Sequence, residues 1–210
     1  PHLLMARIYE AQRTPLRAVE CYKQAAQRSL VTLEAVKALQ QAAEILEKRL
    51  EEPGEALDAL IVAMRRILAA QAEMLAEGHA PESEPELGAA RDEIWSGVER
   101  LLTQEHRTAE LEGLLLERLQ ATPADAVEER AQLLSRRLQM QQQRRRLRSD
   151  ATPQPGVDPV AAAHEMAAGV LETLNALLSL KPQDDDLAAQ QEEVLLELGQ
   201  REAARDRKST

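Results

Sequence analysis

The chain has few of the residues that build sheets and crosslinked folds. Its 210 residues include no phenylalanine, two tyrosines, one tryptophan, one cysteine, eight glycines and ten prolines. A β-sandwich or β-barrel needs aromatic and β-branched residues and many glycine turns, so this composition argues against one. The single cysteine, Cys21, excludes an internal disulfide and a zinc site built from several cysteines.

Long apolar runs and a terminal targeting signal are also missing. No uncharged apolar run approaches 18 residues, and no basic region followed by an apolar stretch opens the chain. We therefore expect no transmembrane helix and a cytoplasmic location. The net charge of −10 disfavours non-specific binding to nucleic acid or to an anionic membrane.

Alanine and leucine dominate what is present, with 35 and 33 of the 210 residues. Both residue types favour helices, and apolar residues recur at helical spacing along most of the chain. The pattern predicts an all-α protein of nine or ten helices. These helices form either an α-solenoid or an irregular helical bundle.

Two loops rich in proline, glycine and polar residues divide the predicted helices, one at 78–85 and one at 149–158. Residues 1–77 contain the first four helices, and residues 86–148 contain the next three. Residues 159–210 contain the eighth and ninth helices and a C-terminal tail that begins a tenth.

Local signals place several helix boundaries. Thr14-Pro15 and Thr122-Pro123 each predict a capping threonine followed by proline at the first helical position. Pro53-Gly54 ends the third helix. Asp184–Asp186 predict the start of the ninth helix, because acidic residues are favourable at a helix N-terminus. Gly199 is predicted to cap that helix at its C-terminus.

One spacing of small and large residues opens the chain. Ala6-x2-Tyr9-x8-Ala18-x3-Tyr22-x2-Ala25 resembles the signature of the tetratricopeptide repeat (TPR), a pair of antiparallel helices in about 34 residues. In this pattern the alanines let the two helices approach closely, and the tyrosines fill the gap to the next pair.

Weaker matches to the same pattern follow at Ala56-x3-Leu60-x2-Ala63 and Gly97-x11-Ala109. The resemblance implies a TPR-like α-solenoid of antiparallel helix pairs. The chain begins inside a first helix and ends near the start of a second, which implies flanking repeats of a longer array.

The resemblance also implies a role in binding another protein. TPR-like solenoids present side chains of their first helices on a concave surface to a peptide or a partner helix. By position, Arg7, Glu10, Glu193 and Glu197 point toward that groove. The sequence contains no metal-ligand set, phosphate-binding loop or activated nucleophile, so we predict neither enzymatic activity nor a cofactor.

A basic run of six arginines lies between Arg136 and Arg148. Three interpretations remain open: a docking patch for an acidic protein, with Arg144, Arg145 and Arg146 as contacts, a nucleic-acid-binding surface, or a solvated helix end. The alternative function is therefore a helical-repeat module that binds nucleic acid, although no aromatic lies within the run to stack a base. Helical spacing brings four of the arginines toward one side, namely Arg137, Arg144, Arg145 and Arg148.

Overall fold

The structure, a computed structural model, describes residues 1–79, 84–149 and 159–199. These residues form nine α-helices and no β-strand, so the all-α prediction is confirmed. The helices are α1 (His2–Ala11), α2 (Pro15–Arg28), α3 (Thr32–Lys48), α4 (Pro53–Ala76), α5 (Pro85–Gln104), α6 (Thr108–Ala121), α7 (Val127–Ser149), α8 (Pro159–Leu180) and α9 (Asp185–Glu197).

The chain divides into two compact units, Pro1–Ala121 and Thr122–Thr210. The first unit contains α1 to α6 and the second contains α7 to α9. The division lies between α6 and α7, inside the predicted 86–148 segment. Most of the predicted loops at 78–85 and 149–158 lies outside the described residues.

Helices of the first unit pack in chain order. Each of α1 to α5 contacts the helix that follows it, and α3 and α4 also contact α5 and α6 respectively. Three residues join α1 to α2, and three join α5 to α6, so these neighbours run antiparallel. The helices of this unit therefore pack mainly against their neighbours in the chain.

Burial is deepest at α3 and α4, which have neighbours on both sides. Eight residues of α3 and ten of α4 are buried, including Leu46, Leu57, Met64 and Ile67. In α1 the only buried residue is Ala6. Among the described helices of this unit α1 packs closely only on α2, so it forms an edge of the unit, and most of its surface is open.

Three helices of the first unit, α2, α4 and α5, begin with a proline, and the start at Pro15 was predicted. The prediction that Pro53-Gly54 ends the third helix is wrong, because α3 ends at Lys48 and both residues lie in the first turn of α4. Pro15 and Pro53 occupy first-turn positions, where the missing N–H costs no hydrogen bond. Thr14 is the N-cap residue of α2 as predicted, but its side chain makes no capping hydrogen bond, because its hydroxyl donates to the carbonyl of Tyr9 at 3.0 Å instead. That bond joins the end of α1 to the start of α2.

The predicted helix start at Thr122-Pro123 is also wrong, since α7 begins at Val127. Between them the chain makes a separate turn, in which the N–H of Ala126 donates to the carbonyl of Pro123 at 3.2 Å. The guanidinium of Arg130 donates to the carbonyl of Thr122 at 2.9 Å. A proline fixes its own φ angle but does not require the following residues to be helical, so the turn satisfies the same local signal.

In the second unit α7 packs on α8, and α8 packs on α9. Its buried apolar residues come from all three helices and include Leu134, Leu174 and Leu177. The predicted start of α9 is confirmed, because the carboxylate of Asp184 accepts a hydrogen bond from the N–H of Leu187 at 3.1 Å.

The predicted C-terminal cap of α9 is also confirmed. Gly199 has a φ of +75°, and its N–H donates to the carbonyl of Leu196 at 3.1 Å. This left-handed conformation is one that glycine adopts without steric cost. The predicted tail beyond Gly199 lies outside the described residues.

Candidate functional site

The residues of the TPR-like pattern lie on the contact between α1 and α2. Ala6, Ala18 and Tyr22 are buried, while Tyr9 and Ala25 are partly exposed. Side chains as small as alanine at Ala6 and Ala18 leave room for the two helices to approach closely. The sequence therefore identified three buried positions of this hairpin correctly.

Glu10, one of the predicted partner-binding residues, makes contacts within the first unit. Its carboxylate accepts a hydrogen bond from the Tyr22 hydroxyl at 2.8 Å and lies 3.7 Å from Nη2 of Arg49. Burial, followed by the bond to Glu10 and its negative charge, raises the pKa of Tyr22 to about 12. Glu10 thus links α1 to α2 and to the end of α3, and Arg7 beside it is exposed.

The outer side of α1 is apolar and open. At 100° per residue, Leu4, Ile8 and Ala11 lie opposite the buried Ala6, and all three are exposed. Leu4 is 65% exposed and Ile8 is 47% exposed. Met5 flanks this stripe on one side and Arg7 on the other. We call Leu4, Met5, Ile8 and Ala11 the α1 face.

Exposed apolar side chains are concentrated in this part of the molecule. Among the described residues, seven of the eleven exposed large apolar side chains belong to the first 31 residues. Isolated exposed apolar residues are normal on a protein surface, but clustered ones indicate a contact surface. The seven are Leu3, Leu4, Met5, Ile8, Leu16, Leu30 and Val31.

The same segment is basic although the chain is acidic. The first 30 residues have a net charge of +3, against −10 for the whole chain. Arg7, Arg13 and Arg17 are all exposed, and Arg17 lies over the Tyr9 ring, 5.7 Å from its centroid. The charged residues of this segment are Arg7, Glu10, Arg13, Arg17, Glu20, Lys23 and Arg28.

The arginine run on α7 is divided between two surfaces. Arg137 and Arg145 pack toward the other helices of the unit, where Arg137 lies 3.6 Å from Glu172 of α8 and Arg145 pairs with Glu197 of α9. Arg136, Arg144 and Arg146 are exposed.

The predicted grouping of these arginines is therefore only partly correct. Arg137 and Arg145 share one side of α7, but Arg144 lies with the exposed arginines. The side chain of Arg148 lies outside the described part of the chain. Contacts with α8 and α9 select which arginines are covered, and these contacts cannot be read from the spacing alone.

The two predicted acidic residues of α9 have different surroundings. Glu197 pairs with Arg145, whereas Glu193 lies on the outer side of the helix. On that side Asp186, Ala189, Glu193 and Leu196 lie opposite the buried Gln191, Val194 and Leu195, and all four are exposed. We call these four exposed residues the α9 face.

Sequence reasoning missed a buried polar layer in the second unit. Gln141 of α7 accepts a hydrogen bond from the Thr173 hydroxyl of α8 at 3.0 Å, and both residues are buried. Gln191 of α9 donates to Asn175 of α8. Buried amides that find partners restrict how helices can align. The glutamine-rich stretch around Gln141 was the available sequence signal.

A second missed contact lies in the first unit. The guanidinium of Arg118 lies over the Trp95 ring, 5.1 Å from its centroid, and 3.1 Å from a carboxylate oxygen of Asp92. This cation–π contact joins α5 to α6. The contact involves the buried side chain of Arg118 and gives the single tryptophan a role in packing.

The described residues give little support for a site that binds a small molecule or a metal ion. A cleft of about 230 Å³ between α4 and α6 is spanned by the ion pair of Arg65 with Glu117, and small-molecule sites usually measure about 300–1,000 Å³. A depression of about 730 Å³ is open to solvent and lined by one turn, Lys181 to Asp186. No group of three or more His, Cys, Asp or Glu side chains in the described part is placed to hold a metal ion.

Comparison of the chain with models of protein families, with curated protein sequences and with solved structures finds no match. Among the described helices, none combines the length and the apolar character that crossing a membrane requires.

Proposed function

We propose that the protein is a non-enzymatic interaction module whose first unit is a TPR-like α-solenoid. Two observations support the solenoid: helices pack in chain order, and small residues lie at close approaches between helices. Ala6 and Ala18 are fully buried. Gly97 of α5 lies so near Leu60 of α4 that a Cβ there would be 3.1 Å from its Cδ1.

One observation carries the binding role, namely the concentration of exposed apolar side chains on and around α1. Fully burying a side chain such as Leu4 or Ile8 stabilises an association by about 1.5–3 kcal/mol. Since these side chains are about half exposed here, each retains roughly half of that contribution for a partner. An amphipathic helix laid along α1 would cover the α1 face, and Arg7 would contact its polar edge.

A photoreactive crosslinking residue at position 8 tests this role in extracts of cells that express the protein. We expect a discrete crosslinked product that disappears when Leu4→Glu is added. The same residue at Val62, which is 53% exposed on α4 outside the cluster, is the control and gives no such product. The absence of any specific product at position 8, including one with a second copy, contradicts the proposed function.

The alternative of nucleic-acid binding through α7 rests on the exposed Arg136, Arg144 and Arg146. It has weaker support, because Arg137 and Arg145 are neutralised by carboxylates of α8 and α9. Phosphate contacts from Lys and Arg supply most non-specific affinity for nucleic acid, so each neutralised arginine reduces it.

A further inference from the structure

The molecule carries two helix surfaces with complementary chemistry. The α1 face belongs to a basic segment, with a net charge of +3 over the first 30 residues. The α9 face belongs to an acidic one, since six acids and no lysine or arginine lie between Asp184 and Gly199. Each face has an exposed leucine, Leu4 on α1 and Leu196 on α9.

The two faces also match in geometry. Leu4, Ile8 and Ala11 follow a spacing of four and three residues, and Ala189, Glu193 and Leu196 follow the same spacing. Each set therefore forms a stripe of about 10 Å along its helix, at 1.5 Å per residue. Side chains at these intervals interdigitate when two helices pack.

We infer that the α1 face of one copy binds the α9 face of a second copy. This inference rests on the proposed function, because it names the partner of the α1 face. Leu196 of one copy covers the apolar stripe of the other, and Glu193 lies near Arg7. The contact joins two different surfaces, so it adds copies head to tail.

Charge argues against the simplest competing assembly, in which two α1 faces pair with each other. A two-fold interface brings the same surface patch of both copies together, so the basic surroundings of Arg7 would face a second basic patch. In the head-to-tail contact the same arginines meet carboxylates. Pairing of one helix with one helix covers less than a standard interface, so the association is weak and transient.

The experiment uses the full chain and two variants. Leu4→Glu with Ile8→Glu blocks the α1 face, and Glu193→Lys with Leu196→Lys reverses the α9 face. All four side chains are exposed, and lysines late in a helix are favourable, so both variants keep their helices, which circular dichroism verifies. Val62→Glu, an exposed apolar position outside both faces, is the matched control.

Equilibrium sedimentation at chain concentrations from about 1 µM to 1 mM brackets a weak interface. We expect the mass of the wild type and of Val62→Glu to rise above 23.3 kDa with concentration. Each double variant alone stays at the mass of one chain. An equimolar mixture of the two reaches at least twice that mass, because the intact α1 face of one variant then meets the intact α9 face of the other. Raising the salt to about 1 M weakens the association by screening.

A wild type that stays monomeric at every concentration overturns the inference, and so does a mixture that fails to associate. Continued association of the Glu193→Lys/Leu196→Lys variant alone shows that α1 faces pair with each other and also overturns it. These results leave the proposed function standing if the residue at position 8 still crosslinks specifically to a different protein. Failure of both measurements rejects both proposals.

Discussion

Replacing Gly97 by alanine tests how closely α4 and α5 approach each other. Alanine is favoured over glycine inside a helix by about 0.8–1.0 kcal/mol, so the change should stabilise α5 if nothing is in the way. A Cβ at Gly97, however, would lie 3.1 Å from Cδ1 of Leu60. This is shorter than the roughly 3.5–4.0 Å at which two carbon atoms attract each other.

Leu60 is only 7% exposed, so its methyl group has little room for the shift of a few tenths of an ångström that a Cβ at Gly97 requires. Such a shift costs about 0.5–1.5 kcal/mol, which offsets the helix gain of Gly97→Ala. Gly113 of α6 is the matched control, because no atom lies within 4 Å of a Cβ built there. Gly113→Ala should therefore raise the free energy of unfolding by the full amount of about 0.8–1.0 kcal/mol.

Urea unfolding followed by Trp95 fluorescence measures both variants. Trp95 is the only tryptophan and lies in the first unit, as both glycines do. We expect Gly97→Ala to be less stable than Gly113→Ala by about 1 kcal/mol. In a Leu60→Ala background the deficit of Gly97→Ala should disappear, which a double-mutant cycle detects. Equal gains for the two alanine variants in the wild-type background would refute the close approach.

Two further outcomes follow from ion pairs. Arg100 donates two hydrogen bonds to Glu47 and holds the pKa of that carboxyl below its ordinary value of 4.5. A carboxyl whose pKa is lower in the folded than in the unfolded protein stabilises the fold at pH values above its unfolded pKa. Arg100→Gln should therefore lower the free energy of unfolding by about 0.5–1 kcal/mol at pH 7. In urea unfolding this cost should shrink as the pH falls below the ordinary carboxyl pKa and vanish once the pH is below the lowered pKa of Glu47, and a cost independent of pH contradicts the prediction. In the second unit, Arg137→Gln should lower stability by about 1 kcal/mol, because its side chain is 11% exposed and lies 3.6 Å from Glu172. Arg136→Gln, at an exposed position, should change the stability little, and circular dichroism during unfolding measures both variants. Equal losses of stability would show that the contact of Arg137 with Glu172 does not stabilise the unit.

Helix boundaries were predictable where a local signal decides them. Pro15 and Gly199 act through their own φ angles, and the carboxylate of Asp184 reaches an N–H only three residues away. The start of α7 was not predictable in this way, because the turn after Thr122 obeys the same rules as a helix start.

The candidate surfaces were less predictable than the helices. The resemblance to the TPR family implied that Arg7 and Glu193 point toward a binding groove, and both residues are exposed in the structure. Spacing could not show that Glu10 bonds to Tyr22, since those residues belong to different helices. It also could not separate Arg144 from Arg145, because the carboxylate that pairs with Arg145 comes from α9, at Glu197.

The helical character of this protein follows from its amino-acid sequence alone. Alanine and leucine have high helix propensity, and prolines and glycines mark helix ends locally, so the helices can be located without knowledge of distant contacts. Which sides of the helices are open to solvent depends on how the helices pack in the tertiary structure. The stripe at Leu4 and Ile8 has the same apolar character as a core stripe, and it is exposed because no described neighbour of α1 covers that side. Burial is a property of two helices together, so one helix cannot specify it alone.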